Sequence, residues 1–359
     1  MKDRFLVIMA GGRGERFWPQ SRLRRPKHLL PIVGKKPMLT QTVERADGVV
    51  PLNNIFIITN REQRDAVIEA VPGLPAENVV AEPVGRDTAA AVGLASTLVK
   101  MRNPDAVFGL LPADHVIHGE KEFRKILGKA FDAAEKDSVL VTIGIEPTAP
   151  ATGYGYIQLA ESDADETVFR VKRFVEKPDL ETAKSYLESG DYFWNAGMFI
   201  WQVKAIEQAF ADHAPEICSG ISEIESGLVA GKSLNAVLEE VYPKIQRISI
   251  DYAVMEKAAN VVMVKATFDW DDVGSWPAVA RHFPADQAGN VTRGDVLLEG
   301  GTGNIVVSEG EHLIAAVGVD DLIIIHTKDA TLICRKDQAE EIKKVVTKIG
   351  DEKKWQHLL

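Results

Sequence analysis

The sequence has few cysteines and no long apolar run, and each lack excludes a class of protein. Its 359 residues include two cysteines, Cys218 and Cys334, which are too far apart to show a metal-ligand spacing. We expect both to be buried, reduced thiols. No apolar run approaches the ~18 residues of a membrane span, and the apolar segment near the N-terminus is too short for a signal-peptide core. We therefore expect a cytoplasmic protein with no membrane partner.

The sequence also lacks an excess of positive charge. Its 42 Lys and Arg residues are outnumbered by 52 Asp and Glu residues, for a net charge of −10. This balance argues against a general nucleic-acid binder, so an anion site has to be a local concentration of positive charge. Residues 9–34 provide one, because a strand-like run at 5–9 leads into three glycines and then into five arginines and a lysine.

Strand and helix signals alternate through the first half of the chain. Buried-strand patterns occur at 5–9, 54–60, 78–83, from 106 onward and at 138–145. Helical spacing occurs at 38–50, 61–71, 87–101 and 120–136. The alternation predicts an α/β fold with a Rossmann-like, mixed but mainly parallel sheet and helices on both faces. Ligands of such sheets bind beyond the carboxyl ends of the strands.

The rest of the chain has two different patterns. Residues 150–280 mix strands with helices, one of them near 203–212, and predict an α+β elaboration over the sheet edge. After about residue 285, short aliphatic clusters recur at 296–298, 305–307, 313–316, 322–325 and 331–334, before a helical pattern at 336–349. This pattern predicts a small all-β domain, and it also fits a short left-handed β-helix. We expect a catalytic domain at 1–284 and a dimerisation domain at 285–359.

The glycines at positions 11–14 follow a buried strand, which lets backbone N–H groups approach a phosphate closely. Neither common phosphate loop fits. A Walker loop needs GxxxxGK[ST], but position 16 is arginine and the first lysine after the glycines is Lys27. In the dinucleotide fingerprint GxGxxG, Phe17 stands where the third glycine is needed. Arg16 and Lys27 would bring positive charge to a polyphosphate. An ordinary strand–helix turn with a solvated basic face is the alternative.

The segment GGRGERFWPQSR with RPKHLLP resembles the signature of the sugar-1-phosphate nucleotidyltransferases, and its WPQSR portion is most similar to the mannose-1-phosphate guanylyltransferases. Six later motifs follow in the family's order: EPVGRDTAAA (82–91), LPADH (111–115), TGYGYI (152–157), VEKP (175–178), WNAGMF (194–199) and FDWDDVGSW (268–276). The chain departs from the family pattern at Glu15, His28 and Asp87, where Thr, Gln and Asn are more usual. Its length matches the short form without a cupin-type isomerase domain.

The resemblance implies the reaction GTP + α-mannose 1-phosphate → GDP-mannose + diphosphate, with Mg²⁺ or another divalent cation such as Mn²⁺. It implies a metal pair of Asp114 and Asp272, with Asp271 as the neighbour most easily confused with Asp272. The implied catalytic residues are Arg16, Lys27, Asp114, Lys177 and Asp272. The implied nucleotide site adds Gly11, Gly12, Gly14, Glu82, Gly85 and Thr88. The implied sugar site consists of Gly153, Glu176, Lys177 and Asn195.

The implied nucleophile is a phosphate oxygen of the sugar phosphate, which is already ionised at pH 7 because its second pKa is near ~6. No general base is therefore required, and catalysis consists of positioning and charge neutralisation. Two enzymatic alternatives stay open, since a transferase for another sugar phosphate or for another nucleotide would share this scaffold. A non-catalytic nucleotide-sugar sensor is a third alternative, and it predicts damage to the charged residues. We also expect a homodimer.

Overall fold

The computed structural model describes residues 3–160 and 167–359, in which a nine-stranded mixed sheet carries helices on both faces. The elements of the first half are β1 (Arg4–Ala10), α1 (Met38–Arg45), β2 (Ile55–Asn60), α2 (Arg64–Ala70), β3 (Val79–Glu82), α3 (Asp87–Arg102), β4 (Val107–Pro112), β5 (Val116–His118), α4 (Glu120–Lys136) and β6 (Leu140–Ile145). The elements of the middle are β7 (Tyr156–Leu159), β8 (Val168–Val175), α5 (Leu180–Ser189), β9 (Tyr192–Gln202), α6 (Val203–His213), α7 (Pro215–Val229), α8 (Leu234–Val241), β10 (Val261–Lys265), β11 (Asp269–Asp271) and α9 (Trp276–Ala280).

The C-terminal region contains β12 (Val291–Arg293), β13 (Val296–Glu299), β14 (Ile305–Ser308), β15 (Ile314–Val317), β16 (Leu322–His326), β17 (Thr331–Arg335) and α10 (Ile342–Asp351). Short 3₁₀ helices lie at Glu15–Phe17, Lys27–Leu29, Leu52–Asn54, Ala76–Asn78, Tyr242–Lys244, Lys336–Glu341 and Lys353–Leu358, and a π-helical turn at Asp251–Met255. No helix in the described ranges is both long enough and apolar enough to cross a membrane.

The parallel half of the sheet has the strand order β3-β2-β1-β4, and all of its neighbouring pairs run in the same direction. Strand β9 continues the sheet antiparallel to β4 and β6, and strands β10, β8 and β7 complete it. The predicted mixed, mainly parallel architecture is confirmed. The carboxyl ends of β1, β3 and β4 lie at one edge, so the glycine loop, Glu82 and Asp114 converge there.

Alternate side chains of β1 enter different hydrophobic cores on the two faces of the sheet. Phe5 and Val7 face a core shared with α3, α6, α7 and α8, whereas Leu6 and Ile8 face a core shared with α1, α2, α4 and α5. This follows from the period of two of an extended strand that is buried on both faces. The two cores fix the sheet edge from both sides.

Three predicted helices are shorter or divided in the structure. Helix α1 ends at Arg45 instead of continuing to 50, because the chain turns at Gly48, whose φ of 79° is left-handed. Helix α2 spans Arg64–Ala70 within the predicted 61–71, and the predicted helix at 336–349 divides into a 3₁₀ helix and α10. The helix near 203–212 and all five C-terminal aliphatic clusters occur where predicted.

The C-terminal strands stack as the coils of a β-helix. Strands β12, β14 and β16 are parallel neighbours, β13 and β15 form a second parallel pair, and β17 closes the first stack in the antiparallel direction. Buried Asn290 and Asn304 also stack, since the Asn304 backbone N–H and side-chain amide both donate to the Asn290 Oδ1, at 2.9 and 3.0 Å. The predicted β-helix is confirmed, while its left-handed form stays a prediction.

The C-terminal region shares a third hydrophobic core with the basic loop near the N-terminus. Phe17, Trp18 and Ile32 of that loop pack in one cluster with Ile323 of β16 and Ile342 of α10. The indole N–H of Trp18 donates to the carbonyl of Leu358 at 2.9 Å. The loop that was expected to bind phosphate is therefore held in place by the last quarter of the chain.

The two cysteines are free thiols and are less buried than expected. Both are only partly covered, and each packs at the margin of a hydrophobic core, Cys218 beside the α3–α7 core and Cys334 beside the third core. Their expected reduced state agrees with the structure, whereas the expected full burial is wrong.

Candidate active site

The glycine loop follows β1 directly and makes a sharp turn at Gly14. The φ of Gly14 is 63°, and a Cβ there would lie 2.5 Å from the Cβ of Lys27, so both the backbone angle and the space require glycine. Gly12 has no neighbouring atom within 4 Å of a Cβ position, and its backbone is exposed. The loop thus combines a fixed turn, packed against Lys27, with accessible N–H groups.

Lys27 lies between the two carboxylates that the sequence predicts as the metal pair. Its Nζ donates to Asp114 Oδ2 and to the Asp272 carbonyl, both at 2.8 Å, and lies 4.0 Å from Asp272 Oδ1. The Lys27 side chain is 6% exposed, whereas those of Asp114 and Asp272 are 37% and 38% exposed. The Lys27 ammonium therefore binds both acidic residues and holds them together, while each carboxylate stays partly open to the pocket.

The pair is assembled by a short ladder between β5 and β11. Asp114 precedes β5 and Asp272 follows β11, and the antiparallel register pairs Asp271 with Val116. Two segments that are far apart in the chain are thereby brought side by side. Val273, immediately after Asp272, has a φ of 50°, which is an unfavourable angle for a buried β-branched residue. Backbone strain of this kind is frequent at functional sites.

Asp271 faces away from this pair and is occupied by other partners. Its Oδ2 accepts from Arg281 at 2.7 Å and lies 3.1 Å from the His282 ring, while its Oδ1 accepts from the Val273 backbone at 2.9 Å. The side chain is 12% exposed. Of the two neighbouring acids, Asp272 is the one whose carboxylate is open beside Asp114.

The charge on Lys27 strongly affects the ionisation of Asp114. Burial alone would raise the pKa of Asp114, but the Lys27 ammonium and the neighbouring His115 outweigh it and lower that pKa to about 2. Asp114 therefore stays ionised at any physiological pH. Two partly exposed carboxylates supply the hard oxygen ligands that Mg²⁺ prefers, with room for waters and phosphate oxygens.

His115 completes a three-residue group with Asp114 and Asp272, whose possible ligand atoms lie within 4.8 Å of one another. Its Nδ1 accepts from the Trp270 indole N–H at 3.1 Å, so in the neutral ring the proton is on Nε2. Nε2 faces Asp272 Oδ1 at 3.6 Å, and burial lowers the pKa of His115, which favours that neutral ring. A protonated Nε2 is a donor and not a metal ligand, so the two carboxylates are the candidate metal ligands of this group.

Arg16 reaches the same pocket from the glycine loop. Its Nη1 donates to the Gly274 carbonyl at 3.4 Å, and its Nε lies 2.7 Å from Glu340 Oε2 of the C-terminal region. Arg16 and Lys27 both line one cavity of about 380 Å³ with Asp114 and Asp272. The structure thus brings together the basic residues and the acidic pair that the sequence predicts.

At the end of β3, Glu82 is buried against the glycine loop. Its Oε1 accepts a hydrogen bond from the Tyr242 hydroxyl, and its Oε2 lies 3.4 Å from where a Cβ on Gly11 would be. Burial raises the pKa of Glu82 to about 7, against the lowering effect of the Tyr242 hydrogen bond. A carboxylate in this place can accept hydrogen bonds from a base that presents N–H donors.

The two other predicted base-site residues differ in their surroundings. Gly85 is exposed, with no atom within 4 Å of a Cβ position. The Thr88 hydroxyl accepts from the Ile250 backbone N–H at 2.8 Å, so it ties the start of α3 to the segment before the π-helical turn. Thr88 therefore has a structural partner already.

Glu176 and Lys177 converge although they follow a strand, in which neighbouring side chains would point to opposite faces. Strand β8 ends at Val175, and the φ of Lys177 is 45°, which turns its side chain back. The Lys177 Nζ then lies 2.9 Å from Glu176 Oε1. The twisted strand end lets an acid and a cation act on the same side of the chain.

Asn195 is buried and makes several hydrogen bonds within the protein. Its Oδ1 accepts from the Thr142 hydroxyl and from the Gly197 N–H, both at 3.0 Å, and its Nδ2 donates to Asp251 Oδ1 at 3.1 Å. One Nδ2 hydrogen remains to be donated to a bound hydroxyl. Asn195 is thus held rigidly in one orientation, next to Asp251.

Asp251 is a member of this group that the sequence patterns did not identify. Burial, with the charge of Glu176, raises the pKa of Asp251 to about 7. It opens the π-helical turn Asp251–Met255, a rare geometry that is frequent at functional sites. Its sequence signal was an acid immediately before the apolar residues of the segment IDYAVM.

Of the two glycines in TGYGYI, Gly155 and not Gly153 is close to the sugar-site acids. A Cβ on Gly155 would lie 2.5 Å from Glu176 Oε2 and 3.3 Å from the Asn195 Cβ, whereas one on Gly153 would meet no atom within 4 Å. The alternation of glycine with tyrosine in the motif gave no means of choosing between them.

The chain is similar to known proteins along nearly its whole length. A nucleotidyl transferase family model matches residues 6–289, and a model for the MannoseP isomerase/GMP-like beta-helix domain matches residues 296–349. A mannose-1-phosphate guanylyltransferase of Klebsiella pneumoniae is 39% identical over 95% of this chain and 72% of its own length. One of Salmonella montevideo is 40% identical over 98% of this chain and 75% of its own length.

A solved structure matches nearly the whole chain. It is described as mannose-1-phosphate geranyltransferase from Thermus thermophilus, is 36% identical, and superposes with a TM-score of 0.85 over 97% of this chain and 99% of its own. The resemblance that the motifs indicated is confirmed. The chain belongs to the nucleotidyl transferase family, within its group of mannose-1-phosphate guanylyltransferases.

Proposed function

We propose that this protein transfers the guanylyl group of GTP to mannose 1-phosphate, forming GDP-mannose and diphosphate. The observation that carries the proposal is the open pair Asp114–Asp272, held by Lys27 in the pocket that the glycine loop forms. The relatives of the chain, described as mannose-1-phosphate guanylyltransferases, supply the identity of the two substrates.

Different residues bind the two anionic substrates and bring them together. The exposed backbone at Gly12 and the guanidinium of Arg16 hold the β- and γ-phosphates. Lys177 holds the phosphate of the sugar substrate, which is already ionised at pH 7 and needs no base. Lys27 keeps Asp114 ionised and holds Asp114 and Asp272 close together. Catalysis thus rests on positioning and on charge already in place before the reaction.

Two further groups select the substrates. The Glu82 carboxylate accepts hydrogen bonds from the N1 and N2 donors of guanine, which adenine does not present. Glu176 and Asn195 bind hydroxyls of the hexose, and Asp251 fixes the Asn195 amide. Gly155 leaves the space that the Glu176 carboxylate occupies.

Asp114 and Asp272 are the residues that would hold Mg²⁺, or Mn²⁺, in this reaction. When bound there, the cation supplies positive charge to the phosphate oxygens. The residues fit this use because Asp114 is ionised, because both carboxylates are partly exposed, and because His115 Nε2 is a donor in the neutral ring and does not compete as a ligand.

We also propose the division into residues 1–284 and 285–359 and a homodimer formed through the second part. Large aliphatic side chains are exposed on the β-helix, with Leu297 at 58%, Leu313 at 59% and Val317 at 73%. Exposed apolar patches of this kind mark association sites. Light scattering at micromolar concentration should give twice the chain mass, and Leu297→Asp with Val317→Asp should give the monomer. A monomeric wild-type protein would remove this proposal.

The direct test of the reaction is a matrix of nucleoside triphosphates and sugar 1-phosphates with Mg²⁺, in which the nucleotide sugar is identified by mass. GTP with mannose 1-phosphate should give GDP-mannose at the highest kcat/KM, and a chelator should stop it. A higher kcat/KM with another pair would reassign the substrates. Binding of GTP without any turnover would instead support a regulatory protein.

A further inference from the structure

The C-terminal region contributes a side chain to the cavity beside the Asp114–Asp272 pair. This cavity of about 380 Å³ is lined by Arg13, Arg16 and Lys27 from the N-terminal loop and by Lys343 from α10. None of the motifs recognised in the sequence includes Lys343. The sugar-site residues Glu176, Lys177 and Asn195 are not among the residues that line this cavity.

The position of Lys343 is fixed by the packing of α10 on the loop. The neighbouring Ile342 is 1% exposed and belongs to the same hydrophobic cluster as Phe17 and Trp18. The chain beyond α10 is tied to the loop as well, through the hydrogen bond from Trp18 to the Leu358 carbonyl. Lys343 is thus held at the rim of the pocket by its neighbours, and the residue itself is exposed.

The cations of this cavity differ in what they are already bound to. Lys27 is engaged by Asp114 and by the Asp272 carbonyl, and Arg16 is paired with Glu340. Among the described residues, no carboxylate forms an ion pair with Lys343, whereas the adjacent Lys344 is paired with Glu341. Lys343 is therefore available to an anion in the cavity.

The ion pair of Arg16 with Glu340 also comes from the C-terminal region. The Nε–Oε2 distance is 2.7 Å, yet the N–H does not point at the oxygen, and the Glu340 side chain is 63% exposed. A pair with a misaligned N–H and a largely exposed carboxylate contributes little and exchanges easily. The more highly charged oxygens of a polyphosphate can replace Glu340 at the guanidinium.

We propose that Lys343 binds the terminal phosphates of the nucleotide, which leave as diphosphate, and that Glu340 keeps Arg16 at the pocket until they arrive. A lysine is a compact point charge that suits phosphate oxygens. The C-terminal region then completes the nucleotide site in addition to any role in self-association. The proposal rests on the proposed function for the identity of the nucleotide as GTP.

The test is calorimetric binding of GTP, GMP and inorganic diphosphate, with Mg²⁺, to the full chain. Lys343→Ala should weaken GTP and diphosphate binding roughly 10-fold, because it removes a charge-assisted hydrogen bond to the terminal phosphates. It should leave GMP binding unchanged, because GMP lacks those phosphates. Lys344→Ala is the matched control, since it removes the same charge one residue away. It should change neither GTP binding nor diphosphate binding. Glu340→Gln should tighten GTP binding about 2- to 5-fold.

The outcomes separate this proposal from its alternatives. Unchanged GTP binding by Lys343→Ala, or an equal loss with Lys344→Ala, would overturn the role of Lys343. Weaker GTP binding by Glu340→Gln would overturn the competition for Arg16. Intact GMP binding shows that the variant is folded. Because binding needs no turnover, a protein that responds as expected but makes no GDP-mannose would contradict the proposed function alone.

Discussion

The hydrogen bond from Tyr242 to Glu82 should set the pH at which the protein binds guanine. Both side chains are buried, and the pKa of Glu82 is raised to about 7, mainly by burial. If the ionised carboxylate accepts from guanine, kcat/KM for GTP should rise through a midpoint near that value. Tyr242→Phe removes a donor that favours the charged form, so the pKa of Glu82 and the midpoint should both rise.

The size of the shift follows from the strength of the bond. A hydrogen bond to a charged group contributes about 1.5–3 kcal/mol, and one pKa unit corresponds to about 1.4 kcal/mol. The midpoint should therefore move upward by about one to two units. The assay is the pH profile of kcat/KM for GTP at saturating mannose 1-phosphate. Glu82→Gln is the control, because its amide does not titrate and its profile should lack this step.

The pH dependence of the free energy of unfolding offers a second measurement of the pKa of Glu82. The folded pKa of Glu82 is about 7 and its ordinary value is 4.5, so the folded state holds the proton more tightly. The fold should lose stability as the pH rises from about 4.5 to about 7, and the loss should extend to higher pH in Tyr242→Phe. A Tyr242→Phe profile that coincides with the wild-type profile, or that moves to lower pH, would refute the reasoning.

Two predictions concern the sugar site. Gly155→Ala should raise KM for mannose 1-phosphate by roughly 10-fold or more and leave KM for GTP unchanged. The new Cβ would lie 2.5 Å from Glu176 Oε2, so the Glu176 carboxylate would have to move and would lose its hydrogen bonds to the sugar. Gly153→Ala is the matched control, because its Cβ meets no atom within 4 Å, and equal effects of the two substitutions would contradict the assignment. Asp251→Asn should remove a pH step near 7 from KM for mannose 1-phosphate, since the pKa of Asp251 is raised to about 7, and a step that persists in the variant would assign it to another group.

The parts of the site that follow parallel strands could be predicted from the sequence. The buried run before Gly11 and the one before Asp114 indicate neighbouring strands, and their carboxyl ends have to meet at one edge. The pairing of Asp272 with Asp114 came from the family motif alone. Its physical basis is the ladder of β5 with β11, which no local pattern of the sequence predicts.

The residues that sequence reasoning missed act through contacts between distant segments. Tyr242 reaches Glu82 from 160 positions away, and Asp251 reaches Asn195 from 56 positions away. The neutral tautomer of His115 depends on Trp270, and the exposure of Lys343 at the pocket depends on the packing of α10. Local propensity carries no information about such pairs, because side-chain direction is set by tertiary packing.

The central claim is that the open pair Asp114–Asp272 is the charged centre of guanylyl transfer. The most direct test compares initial rates of GDP-mannose formation from GTP and mannose 1-phosphate by the wild type, Asp272→Asn and Asp271→Asn, with melting temperatures as the check on folding. Asp272→Asn should lose a factor of ~10² to 10³ or more while it stays folded, whereas Asp271→Asn should lose much less. A near-normal Mg²⁺-dependent rate in Asp272→Asn, or an equal loss in a folded Asp271→Asn, would contradict the account.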